Sequence, residues 1–158
     1  MNWGIVHSAW RLSTCFALLL VLNDVARGEQ FILVPDADNT LYEDPAGGIS
    51  NGSGEHLFAG RVGLADSGHI RRALIRFPVD EVIPAGSVIE SVTLTMEMTR
   101  TPAAAQTVAL RRVAADGGEG ASDAPLREGN GAAAAVNDAT WRHRFFSGVF
   151  WSTMGGQY

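Results

Sequence analysis

The chain is 158 residues long with a formal net charge of −5, a length that suits a single domain. Its 12 basic residues are all arginine and form no basic cluster, so an acidic chain of this kind is a poor partner for nucleic acid or an anionic membrane. The single cysteine, Cys15, lies close to the N-terminus.

Residues 15–22 form an apolar run, preceded by one charge at Arg11 and followed by Ala26 and Gly28 two positions apart. A run of that length suits the core of a secretory signal peptide, whereas a membrane span needs about 20 apolar residues. Residues 1–28 are therefore expected to be a signal peptide with a helical core, cleaved after Gly28. The rival reading is a buried N-terminal helix. Cleavage leaves residues 29–158 with ten arginines against sixteen acids, a net charge of −6. It also removes Cys15, which excludes disulfides, thiolate metal sites and a cysteine nucleophile from the mature chain. The expected location is secreted, extracellular or at the cell surface, with no stable membrane insertion after cleavage.

Along the mature chain, residues 31–34 read as a first strand stopped by Pro35, and residues 36–45 as an acidic stretch around Leu41 and Tyr42. Residues 46–54 are Gly-rich loop, 57–59 a short strand and 61–68 a polar loop. The clearest pattern runs from Arg71 to Arg100. Ala73, Ile75 and Phe77 alternate with Arg72, Leu74 and Arg76, the period-2 signature of a strand. Pro78 ends it, and Ile83-Pro84-Ala85-Gly86 marks a turn in which proline sets φ and glycine accepts φ > 0. Val92, Leu94, Met96 and Met98 then alternate with Thr93, Thr95, Glu97 and Thr99, which predicts a second strand and closes a hairpin.

A further strand is expected over 107–113, with Val108 and Leu110 on one face. Residues 113–139 lack periodicity and read as a long Gly/Ala-rich surface loop, since Gly129, Gly131, Asn137 and Asp138 leave Ala132 to Ala135 too short a run for a helix. Trp141, Phe145, Phe146, Phe150, Trp151 and Tyr158 concentrate in the tail. Short strands, turn-rich loops and no convincing helix predict an all-β sandwich or barrel.

Read together, Asp38-Asn-Thr-Leu-Tyr42, Asn51-Gly-Ser-Gly, Leu57-Phe-Ala-Gly-Arg61, Arg72-Ala-Leu-Ile-Arg-Phe77, Ile83-Pro-Ala-Gly-Ser87, Ser91-Val-Thr-Leu-Thr95, Gly118-Glu-Gly-Ala-Ser-Asp123 and Thr140-Trp141 resemble, in order and spacing, the DNRLRE-type domains of secreted bacterial and archaeal proteins. The resemblance covers roughly residues 31–158. It implies a jelly-roll-like antiparallel β-sandwich similar to carbohydrate-binding modules. Two departures stand out. Gly117 occupies a position where such domains usually carry tryptophan, and the Arg-Glu segment that names the family is expected beyond Tyr158. The chain thus resembles an N-terminal portion of one such domain, with an unpaired edge and an uncovered Phe77, Val92, Leu94 and Met96 face.

Asp36, Asp38 and Asp44, with Glu43, are the candidate ligands for a calcium ion, which takes several hard oxygen ligands; the spacing does not match an EF-hand. No other cofactor is expected. Gly48-Ile-Ser50-Asn-Gly52 matches the nucleophile-elbow pattern but lacks the preceding apolar strand and the following helix, so a loop is the better reading. His56, His69 and His143 have no zinc spacing. Asp116, Glu119 and Asp123 read as solvated loop acids rather than a glycosidase pair.

In the tail, sugar binding would stack CH faces on Trp141 and Trp151, with Tyr42 as a third ring and Arg142 and Arg144 as polar partners. The competing reading places the tryptophans in the core. The expected function is a non-catalytic secreted module that engages extracellular polysaccharide. The alternatives are a structural or adhesive surface module without a sugar ligand, and a truncated fragment without function. Export is expected to yield a mature chain starting at Glu29; N-terminal sequencing of the secreted protein checks this, and a retained Met1 refutes it.

Overall fold

The longest strand lies where the alternation is cleanest, at β4 (Ile70–Arg76), and it organises the sheet around it. A computed structural model describes residues 28–63 and 68–158, so all of the expected leader except Gly28 lies outside the described residues. Residues 31–158 form a unit of their own. β4 is the central strand of a three-stranded antiparallel sheet. β1 (Ala37–Tyr42) pairs along one edge, from Ala37 opposite Arg76 to Tyr42 opposite Arg71. β3 (Gly60–Arg61) pairs with the other edge only at Arg71 and Ile70. β2 (Ile49–Ser50) pairs with β5 (Ala132–Ala133), and β6 (His143–Phe145) with β7 (Val149–Phe150), both antiparallel. One helical turn, α1 (Val79–Val82), follows Pro78. Among the described residues regular structure is thus almost entirely antiparallel strand, and the fold is all-β.

Several expected elements form elsewhere. The first strand is not at 31–34, where Ile32 is 85% and Val34 73% exposed. It lies within the acidic stretch, residues 36–45. Asn39, Thr40, Leu41 and Tyr42 are all buried, so β1 is covered on both faces and shows no alternation. The short strand expected at 57–59 falls instead at Gly60–Arg61. The turn after Pro84 forms, with Gly86 at φ 88° and the Ser87 amide donating to the Pro84 carbonyl at 3.1 Å.

The chain does not return to β4 after that turn. β1 holds one edge of β4 from Arg71 to Arg76, the other edge is paired only at Ile70 and Arg71, and residues 88–100 join no strand. Val92, 82% exposed, and Met98, 72% exposed, stand in solvent. Residues 107–113 likewise form no strand. Residues 113–139 are mostly irregular, as expected, but they are not confined to the surface. They supply β5 and send Ser122, Ala124, Glu128, Asp138 and Ala139 inside.

The apolar centre comprises Leu41, Ala139, Trp141 and Trp151, with Ile70, Leu74 and Ala115 packed against it. Leu74 and Ile70 share the face of β4 that carries Arg72. That guanidinium lies 4.8 Å over the Trp141 ring and 5.0 Å over Tyr158, and it donates to the Gly155 carbonyl. The arginine thereby covers the core edge with its stem while its head stays hydrogen-bonded.

Each buried tryptophan removes roughly 200 Å² from water, on the order of 5 kcal/mol before entropy is counted. Trp141→Ala is expected to cost about 3–5 kcal/mol and Leu41→Ala about 2–5 kcal/mol. Val108→Ser, at a side chain in solvent, is expected to stay within about 0.5 kcal/mol. Urea unfolding of the three variants checks the contrast; equal losses would refute the assignment of the core.

Candidate functional site

Polar residues that sequence patterns pass over form a buried, hydrogen-bonded site. Asn39 in β1 is 1% exposed. Its Nδ2 donates to the Glu119 carbonyl at 2.8 Å, and its Oδ1 accepts from the Thr40 amide at 2.7 Å and the Asn51 amide at 3.4 Å. The Ser50 hydroxyl lies 3.0 Å from Asn39 Oδ1 and 2.8 Å from the Ala139 carbonyl, its one proton serving either acceptor. β1 and β2 are thereby tied to residues 118–119 and 139. Gly52 is required beside this junction, because a Cβ there would stand 1.7 Å from the Glu119 carbonyl oxygen.

Glu128 is a second centre. Its Oε2 accepts from Asn51 Nδ2 and from the His56 amide, each at 2.9 Å, and its Oε1 lies 3.3 Å from His56 Nδ1. Asn51 Oδ1 in turn accepts from the Ala124 amide at 2.9 Å. The Glu128 carbonyl accepts from the Tyr42 hydroxyl at 2.8 Å, and its backbone sits in the left-handed region at φ 58°. Asp138, with no exposed surface, accepts from the Ala135 amide at 2.6 Å and the Ser122 amide at 3.4 Å. Among the described residues no buried side-chain nitrogen or oxygen lacks a hydrogen-bond partner.

The expected sugar-stacking rings are interior. Tyr42 is 1% exposed, its ring 4.7 Å from the Arg71 guanidinium, and burial, with a smaller push from the Glu128 charge, raises its hydroxyl pKa to about 12. Trp141 and Trp151 belong to the core, and the Trp151 indole N–H donates to the Thr140 carbonyl at 2.9 Å. Rings held this way present no face to a ligand. Arg144 turns aside, donating from Nε to the Asp116 carbonyl at 2.6 Å. Arg142 is exposed and lies 5.1 Å over the ring of Phe150, itself 49% exposed. The ring centroid of His143 is 4.7 Å from that of Phe150. Burial first, and the Arg142 charge second, lower its pKa below the ordinary imidazole value. Its Nδ1 lies 3.0 Å from the fully buried Thr140 hydroxyl, a contact that closes a local turn.

The candidate calcium ligands are not brought together. Asp36 pairs with Arg76 at 3.0 Å, at the start of β1. Asp38, halfway into burial beside the Glu119 charge, has its pKa raised, mainly by desolvation. Asp44 lies beyond the far end of β1 and accepts from the Ala46 and Gly48 amides of its own loop. The strand from Asp38 to Tyr42 alone spans about 13 Å, and Asp44 lies two residues past its end. The one metal-sized group among the described residues is Glu55, His56 and Glu128, whose ligand atoms lie within 4.8 Å of one another. Both Glu128 oxygens already hold Asn51 and His56, so the set reads as a brace between two loops.

Ser50 of the Gly48–Gly52 motif is fully buried in β2 and unavailable as a nucleophile. Asp116, Glu119 and Asp123 are exposed. The sequence carried no periodic mark for Asn39, Asn51, Glu128 or Asp138; Asn51 and Glu128 each adjoin a glycine, and Asn39 and Asn51 fall in segments of the family resemblance. No protein-family model, curated protein or solved structure matches the chain.

Burial is the largest influence on Glu128 and opposes its ionisation, yet the hydrogen bonds from Asn51 and His56 outweigh it and leave the pKa below its ordinary 4.5. A lowered carboxylate pKa contributes stability above the ordinary value, lost as pH falls through the folded one. The urea midpoint is therefore expected to drop on acidification below pH 4.5, and Glu128→Gln to lower stability at pH 7 while flattening that acid loss. An acid limb unchanged in Glu128→Gln would refute the role.

Proposed function

We propose that the protein is a non-catalytic extracellular β-module with a structural or adhesive role, its strands belonging to a jelly-roll-like sandwich of the DNRLRE type. Extracellular placement rests on the expected leader over residues 1–28. The observation that supports the non-catalytic reading is the use made of the buried polar groups. Asn39, Asn51, Glu128 and Asp138 all point at backbone of the protein's own loops, and the candidate nucleophile Ser50 is sealed inside. A general acid or base needs hydrogen-bond reach to a substrate proton, which these positions do not offer. Incubation of the purified protein with a polysaccharide panel is expected to release no new reducing ends; turnover that disappears in Glu128→Gln would overturn the proposal.

A second reading, polysaccharide binding, is favoured by one observation: the exposed ring of Phe150 beneath Arg142. It shifts the stacking role from Trp141 and Trp151 to the outer edge of β7, with Arg142 able to hydrogen-bond hydroxyls. In affinity gels, Phe150→Ala and Arg142→Ala are expected to abolish retardation at unchanged stability, whereas Trp141→Ala acts through unfolding. No retardation on any polysaccharide removes this second reading.

A further inference from the structure

Residues 88–100 leave the turn at Gly86 as chain that joins no strand, and among the described residues no backbone hydrogen bond ties residues 88–113 to the sheets. In extended chain alternate side chains share a face. Here the even-numbered row is Val92, Leu94, Met96 and Met98, exposed by between 39% and 82%. Glu90 and Arg100 flank that row on the same face. The odd-numbered row, Ser91, Thr93, Thr95, Glu97 and Thr99, is polar and rich in β-branched threonine, which suits a strand with one solvated face. Unpaired backbone carrying a one-sided apolar row is a template for strand addition.

The flanking charges choose the partner. We infer that residues 90–100 of two copies of this chain pair antiparallel about a two-fold axis at Thr95. In that register Val92 faces Met98, Leu94 faces Met96, and Glu90 faces Arg100, each pair made twice by symmetry. Parallel pairing in register would instead set Glu90 against Glu90 and Arg100 against Arg100, and like charges directly opposed are destabilising. Sliding the antiparallel register by two residues leaves Glu90 opposite Met98 in one direction and Pro102 in the other. Sliding it by one puts the two apolar rows on opposite faces. Only the Thr95-centred register satisfies both the charges and the apolar row.

The other exposed stretch outside any strand, 107–113, is a weaker partner within the chain. It holds Arg111 and Arg112 but no acid to meet Arg100. Arg111 already lies 5.4 Å over the Tyr158 ring, and the Ala114 amide next to the stretch donates to the Gln157 carbonyl at 2.8 Å. The pairing goes beyond the structural role proposed above, and mass and turnover test the two separately.

Sedimentation of the protein is expected to show a concentration-dependent dimer. Glu90→Arg is expected to weaken it by roughly tenfold or more, since two attractive pairs become repulsive. Glu90→Arg with Arg100→Glu restores it. In a Cys15→Ser background, Thr95→Cys is expected to give a covalent dimer on mild oxidation. Thr93→Cys alone is not, whereas a mixture of Thr93→Cys and Glu97→Cys chains is. A monomer at every concentration, or Thr93→Cys cross-linking as readily as Thr95→Cys, overturns the inference; absence of polysaccharide turnover has no bearing on it.

Discussion

The side-chain amide of Asn39 joins segments that no strand ladder connects. It sits in β1 and bonds residues 51 and 119, while the Ser50 hydroxyl beside it reaches residue 139. Without it, the Thr40 and Asn51 amides would lose a partner at a buried site, at about 1–3 kcal/mol each. Among the described residues the three small sheets share no strand, so such bridges tie the segments together. Glu128 repeats the device further along, pinning residues 51 and 56.

The apolar core is small beside this polar scaffold. Leu41, Ala139, Trp141 and Trp151 form it, and arginines cover its margins: Arg72 over Trp141 and Tyr158, and Arg71 over Tyr42 on the opposite face of the sheet. Guanidinium on an aromatic face gains cation–π attraction while the flat head keeps its hydrogen bonds. The exclusive use of arginine fits this architecture, since lysine offers no planar group to lie on a ring. The rings that suggested a sugar platform are therefore interior, and the exposed Arg142–Phe150 pair involves a residue of β7.

The strand β4, the turn at Gly86 and the all-β class were legible from alternation, proline and glycine, because these are local constraints on φ and ψ. β1 was not legible. Its residues Asp38, Asn39 and Thr40 resemble loop, and only burial against β4 and the Gly118–Glu119 segment makes them strand. The opposite error fell on residues 88–100, whose alternation is that of a strand but which find no partner within the described residues. Strand pattern reports a capacity to pair, and the partner is a separate fact.

From the sequence alone follow the all-β class, the acidic arginine-only surface, the position of the central strand and the aromatic concentration in the tail. Those depend on residue type and on period, which survive without any fold. Tertiary structure alone decided that Tyr42, Trp141 and Trp151 face inward, that Asp36, Asp38 and Asp44 lie along or beyond one strand instead of around one point, and that Asn39 and Glu128 hold the loops. Each of these is a contact between residues tens of positions apart, and side-chain chemistry does not encode which distant backbone group it will meet.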